Sequence, residues 1–213
     1  IKDDHSLADQ LFAPFERRIK LCSAAVQRAN RETGFTCRYF PSLTVPAERT
    51  LSAARSAREA GAGGLLVSPG LIGFDSMRML AEDDSVGLPI ISHPAFQGSL
   101  VTSPDSGIAH GVIFGEFARL AGADASIFPN YGGRFSFSRE ECVEIAEHCL
   151  SPFGNILPIF PTPGGGMNLD RVAEMRSVYG DQVIFLIGGA LHEGTGDLSA
   201  SIRQFRRLVD ATF

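Results

Sequence analysis

The chain has no apolar run approaching the ~18 consecutive residues that cross a bilayer. It has no cysteine pair at C-x-x-C or zinc-finger spacing, and basic residues are not in excess. Lys and Arg number 19 against 24 Asp and Glu, a net charge of −5, which argues against a nucleic-acid surface or a polybasic membrane patch. No G-x-G-x-x-G opens a helix, which counts against a dinucleotide site. A linker, a low-complexity tract, a sequence repeat and a signal-peptide pattern are all missing. The chain starts at Ile1 rather than Met, so a longer natural N-terminus is expected. Of the four cysteines, Cys22 and Cys149 fall in helical patterns and read as small buried hydrophobes in a reducing, cytoplasmic setting.

What is present is a steady alternation. At 213 residues and 44% apolar, one well-buried domain over 1–213 is expected. Short apolar runs at 37–43, 64–68, 89–93, 125–128, 156–160 and 183–187 read as strands. Most are apolar along their length, as parallel strands covered on both faces are. Amphipathic helical patterns occupy 14–32, 47–60, 76–83, 107–121, 139–150, 169–179 and 198–211. Ser138 with Glu141 forms a capping box, Asn168 suits an N-cap, and Gly34 and Gly180 stand where helices should stop. A strand–helix unit of about 30 residues, repeated, fits a (β/α)8 barrel or a doubly wound sheet.

In a barrel, reacting groups sit at the C-terminal strand ends. Those positions are distinctive here. Lys2, Asp3, Asp4 and His5 follow what reads as a truncated strand, His93 ends the run at 89–93, and an aromatic and glycine-rich loop at 129–137 follows another. Gly164, Gly165 and Gly166 follow one late run, and Gly188 and Gly189 follow the last. Backbone N–H groups meet a phosphate only where no Cβ blocks them. A double glycine is usually only a turn, and a short charged run is usually a solvated loop. It is two such turns after the last two runs that point to phosphate. His110 and His148 fall in helical patterns as surface or capping residues, and His192 has no assigned role.

Taken together the segment Ile1-Lys2-Asp3-Asp4-His5 resembles the K-D-D-E segment of the RuBisCO large subunit and of RuBisCO-like proteins. The similarity runs on through Arg31-Glu32-Thr33-Gly34, Ile91-Ser92-His93, Gly107-Ile108, the segment Leu120-Ala121-Gly122-Ala123-Asp124 and the glycine turns. The resemblance, closest to the non-photosynthetic group, implies an α/β fold. That fold is a (β/α)8 TIM barrel running from the end of strand 2 through helix 8, without strand 1, its catalytic lysine and the N-terminal α+β domain. It implies Mg2+ held by Lys2, Asp4 and His5, with Lys2 carbamylated by CO2, and a homodimer or higher homo-oligomer. His5 stands for a glutamate, which opens the site to Mn2+ or Zn2+. Pro94 and Gln97 replace an arginine and a histidine of RuBisCO, and Arg134 replaces the mobile-loop lysine.

These departures imply a RuBisCO-like protein that does not fix CO2 and that takes a small phosphorylated substrate. His93 is expected to bind a substrate hydroxyl or move a proton. Arg134 is expected to pair with a substrate carboxylate, and Gly164–Gly166 with Gly188 and Gly189 to hold phosphate. The carboxylate role tilts the reading toward decarboxylation or carboxyl transfer with hydrolysis of a branched 3-oxo sugar-acid phosphate, of the 3-oxo-isoapionate 4-phosphate type. The alternatives are enolisation or isomerisation of a methylthio-sugar phosphate in methionine salvage, and a RuBisCO-fold protein without catalysis. A Schiff-base aldolase using Lys2 is disfavoured, because Asp3 and Asp4 favour the protonated amine.

Overall fold

The computed structural model describes residues 1–103, 105–192 and 196–212. The chain divides into two compact units, one of Ile1–Gly107 with Phe117–Asp124, the other of Ile108–Glu116 with Ala125–Phe213. Among the described residues no helix is long and apolar enough to cross a membrane.

In the first unit Lys2 pairs in parallel with Phe40. The pairing is carried by Asp3 N donating to Phe40 O at 3.0 Å and Phe40 N to Ile1 O at 2.9 Å. Helix α1 (Phe15–Thr33) follows and ends on Gly34, whose φ of 75° lets its N–H turn back to Asn30 O. Its buried stripe holds Phe15 and Ile19, but also Arg18. Helix α2 (Thr50–Glu59) buries three alanines, Ala53, Ala54 and Ala57, so its backbone packs close to its neighbours. Strands β1 (Leu65–Val67) and β2 (Ile90–Ser92) pair in parallel with Leu66 opposite Ile91. Between them lie α3 (Pro69–Ile72), which the sequence reading omitted, and α4 (Phe74–Glu82). Helix α5 (Phe117–Leu120) completes this unit, and its Phe117 ring packs edge-on against Phe74.

The expected strand at 37–43 is reduced to isolated bridges, Lys2 with Phe40 and Ser42 with Leu66. Two local causes account for this. Pro41 accepts from Leu66 N but has no N–H to return. Ser42 N is taken by the Asp3 carboxylate at 3.0 Å instead of a neighbouring carbonyl.

The second unit opens with a π-helical turn, Val112–Glu116, where an unbroken helix over 107–121 was expected. It contains parallel strands β3 (Ala125–Pro129) and β4 (Phe160–Gly164), with Ile127 opposite Thr162. Helix α6 (Arg139–Leu150) starts on the capping box read from the sequence: Ser138 Oγ accepts from Glu141 N, and Glu141 accepts from Ser138 N. Asn168 caps the short turn Leu169–Arg171 before α7 (Val172–Tyr179), and α8 (Leu198–Thr212) ends the chain. Asn130, fully buried, ties the core by accepting from Tyr179 OH at 2.7 Å and facing Met175 Sδ at 2.9 Å.

The late strand lies at Phe160–Gly164, not at 156–160. Ile156 and Leu157 are apolar, whereas Pro161 and Pro163 are of a type that strands usually exclude. In a parallel strand alternate residues face opposite neighbours, and both prolines face away from β3. Their carbonyls accept from Ile184 N at 3.1 Å and Leu186 N at 3.4 Å. With no proline N–H to answer, only half a ladder can form there. The expected strand at 183–187 is accordingly a single bridge, Gly164 with Leu186.

Candidate active site

Two neighbouring carboxylates at the head of the chain have opposite surroundings. Asp3 is 7% exposed and its oxygens are fully engaged. Oδ2 accepts from Arg18 Nε at 2.8 Å and Ser42 N at 3.0 Å, while Oδ1 accepts from Tyr39 OH at 2.8 Å. Arg18 spends its remaining donors on the carbonyls of Ala13 and Ala8. This is a buried ion pair with its hydrogen bonds satisfied, which makes it scaffold. Asp4, the next residue, points the other way and is exposed. Its Oδ1 accepts from Ser6 N and Oγ at 2.9 and 2.6 Å, and these bonds hold the carboxyl below its usual range. The extended backbone pinned by Phe40 alternates the two side chains between core and surface.

Lys2 is partly buried and its Nζ donates to Asp3 O at 3.1 Å. Burial holds the ammonium below its ordinary range, against the opposing pull of Asp4 and Asp3. His5 lies against His93 with ring centroids 4.2 Å apart and planes 18° from parallel, and its Nδ1 stands 3.7 Å from Asp4 Oδ1. His93 is fixed by its N–H donating to Val67 O at 2.7 Å and by Nδ1 accepting from Ala95 N at 3.1 Å. An accepting Nδ1 leaves the proton of a neutral ring on Nε2. Burial, then the charges of His5 and Lys2, push the ring down to about 3, so it stays neutral.

Among the described residues no three His, Cys, Asp or Glu side chains converge as a metal cluster. Asp4 and His5 offer two donors, and an ammonium is not a third. Lys2 completes the set only as a carbamate, whose formation needs the free amine that burial favours. Asp4 and His5 are thus two of the donors a divalent ion needs, and a third from Lys2 would require its modification.

The second unit holds the other expected groups. Gly164 is buried at the end of β4, and Gly165 and Gly166 follow with φ of 77° and 78°, a conformation that favours glycine. Gly188 and Gly189 have open space where a Cβ would stand, so among the described residues no contact requires glycine there. Arg134 is exposed, with its guanidinium 4.9 Å over the Phe135 ring. Two histidines without an expected role meet carboxylates: His148 Nδ1 lies 2.8 Å from Glu116 Oε1, and His110 Nδ1 lies 3.8 Å from Glu141 Oε1.

Sequence reasoning missed Arg18 and Phe96. An arginine beside Ile19 on an apolar helix stripe could have signalled a buried partner. Nothing in the sequence marks Phe96, which holds a φ of 66° three residues beyond His93.

No protein-family model matches the chain. It is 40% identical over 205 residues to 5-methylthioribulose-1-phosphate isomerase of Rhodospirillum rubrum, across 96% of this chain and 53% of that protein. It is 34% identical over 211 residues to 2,3-diketo-5-methylthiopentyl-1-phosphate enolase of Bacillus pumilus, across 99% of this chain and 52% of that one. The crystal structure of a RuBisCO-like protein from Rhodopseudomonas palustris superposes with a TM-score of 0.88 at 35% identity, over 99% of this chain and 55% of that one. The chain thus spans about half the length of the curated relatives it matches. This α/β chain, part of a (β/α)8 barrel, belongs to the RuBisCO-like proteins.

Proposed function

We propose that the full-length protein is an enzyme that enolises or isomerises a phosphorylated keto-sugar of the methylthio-pentose class. The observation that carries the reading is the cluster in which half-buried Lys2 and exposed Asp4 meet a His5 ring stacked on His93. The names of the Rhodospirillum and Bacillus relatives favour this substrate class over the sugar-acid phosphates suggested by Arg134. Carbamylated Lys2, Asp4 and His5 would hold Mg2+, or Mn2+ or Zn2+ given the imidazole. A divalent ion held there supplies Lewis-acid polarisation of the substrate carbonyl.

The protein's own groups then have distinct tasks. His93, neutral and with Nδ1 engaged by Ala95 N, donates from Nε2 to a substrate oxygen and is not a base at that atom. Asp3 with Arg18 holds the backbone from which Lys2 and Asp4 project. The backbone at Gly165 and Gly166 offers N–H groups to the phosphate, with Gly188 and Gly189 as a second turn. Arg134, exposed and without an ion pair among the described residues, supplies a planar fork that suits phosphate or carboxylate. A homodimer or higher homo-oligomer belongs to the same proposal and is checked by light scattering.

That exposed Arg134 fork also favours a second reading, decarboxylation of a branched 3-oxo sugar-acid phosphate. Both are tested by incubating the full-length protein with Mg2+, bicarbonate and each substrate class in deuterated water. Deuterium entry into the methylthio-sugar phosphate, abolished by D4N, is the expected result. Reaction of the sugar acid alone moves the second reading ahead. No exchange with either would leave a protein without this catalysis.

A further inference from the structure

We infer that Arg171 is a positioning residue that latches the Arg134-bearing loop onto the glycine turn after β4. Arg171 sits on a backbone already fixed by Asn168, whose Oδ1 accepts from Arg171 N at 3.1 Å. Its guanidinium then reaches two separate segments. Nη1 donates to Tyr131 O at 2.9 Å and to Gly166 O at 3.4 Å. Nε donates to Glu174 Oε2 at 2.9 Å, and Glu174 Oε1 accepts from Tyr131 OH at 2.7 Å. The guanidinium carbon also lies 4.8 Å over the Tyr131 ring.

The surfaces it joins touch through backbone. A Cβ on Gly166 would stand 2.5 Å from Gly133 Cα, and one on Gly133 would stand 2.9 Å from Gly165 O. Phe135 covers Gly165 from the same loop, with ring carbon Cε2 3.5 Å from where a Cβ would be. Arg134 lies between Gly133 and Phe135, so the loop cannot lift from the turn without carrying Arg134 along. Arg171 and Glu174 are partly exposed, so their ion pair by itself adds little to global stability. On the proposed function, phosphate meets the turn and Arg134 meets the substrate. Arg171 then makes seating the phosphate and placing Arg134 one event.

The test has two arms in the full-length protein. Amide exchange should quicken across 131–137 and 164–167 in R171Q and in R171K, which keeps the charge but loses the fork, while α6 exchanges at the wild-type rate. In a double-mutant cycle, R171Q should lower kcat/KM by roughly ten- to a hundredfold in the wild-type background. It should lower it by no further factor when Arg134 is already alanine. Unchanged exchange, or an R171Q effect of the same size with and without Arg134, overturns the latch. If no phosphorylated keto-sugar reacts at all, the proposed function fails while the exchange arm still decides the latch. Should R171Q not fold, R171K and E174Q carry both arms.

Discussion

Replacing Asp3 by alanine should cost far more stability than the same change at Asp4, one residue away. Asp3 and Arg18 are 7% and 8% exposed, so truncating the carboxylate strands a guanidinium in the core. Breaking a buried pair from one side costs about 3–5 kcal/mol. Tyr39 OH and Ser42 N lose their acceptor in the same step, but water entry and relaxation offset part of that, so about 4 kcal/mol is the working figure. With a urea slope near 3 kcal/mol/M, the midpoint should fall by more than about 1 M. Asp4 engages only exposed Ser6 and nearby His5, so D4A should stay within about 0.5 kcal/mol of wild type. The assay is urea unfolding of the full-length protein followed by circular dichroism, with the slope compared between variants. Equal midpoints for D3A and D4A would refute the division of the two carboxylates into scaffold and site. The same holds if D4A proves the costlier.

Four further outcomes follow from the local geometry. Exposed Cys37 should react first with a thiol reagent and buried Cys142 and Cys149 only on unfolding, as mass mapping of the labelled protein would show. Burial raises the Cys142 thiol to about 11, so the fold keeps its proton when the unfolded chain has lost it. The stability this contributes is full below about 9 and drains away as pH rises through about 11, and C142A should flatten that fall in an alkaline melting series. G166A meets both the φ of 78° and the Gly133 backbone; it should lose at least about 1–2 kcal/mol and open the loop at 131–137 to amide exchange. S138A removes the acceptor for Glu141 N and should cost about 1 kcal/mol in a denaturant titration.

The expected helix ends were legible because the rules that set them are local. Ser138 and Glu141 close the capping box, Asn168 takes the N–H groups of Asp170 and Arg171, and Gly34 and Gly180 adopt positive φ. Strand positions depend on neighbours, and there the reading slipped. Pro161 and Pro163 look like strand breakers until β3 is seen on the other side of β4. The run at 37–43 looks like a strand until the Asp3 side chain is found on Ser42 N.

The candidate site divides along the same line. Sequence by itself brought out Lys2, Asp4, His5, His93 and the glycines, because charged residues and paired glycines at the ends of apolar runs are local signals, while Arg134 came only from the family resemblance. It could not say which of two adjacent aspartates is scaffold, that His5 stacks on His93, or that Arg171 joins two loops. Those facts turn on residues far apart in the chain: Asp3 and Arg18 are 15 positions apart, Arg171 and Tyr131 40, and His5 and His93 88. Only the tertiary structure decides them, because burial and hydrogen-bond partners are set by what packs across the chain and not by what stands next to a residue along it.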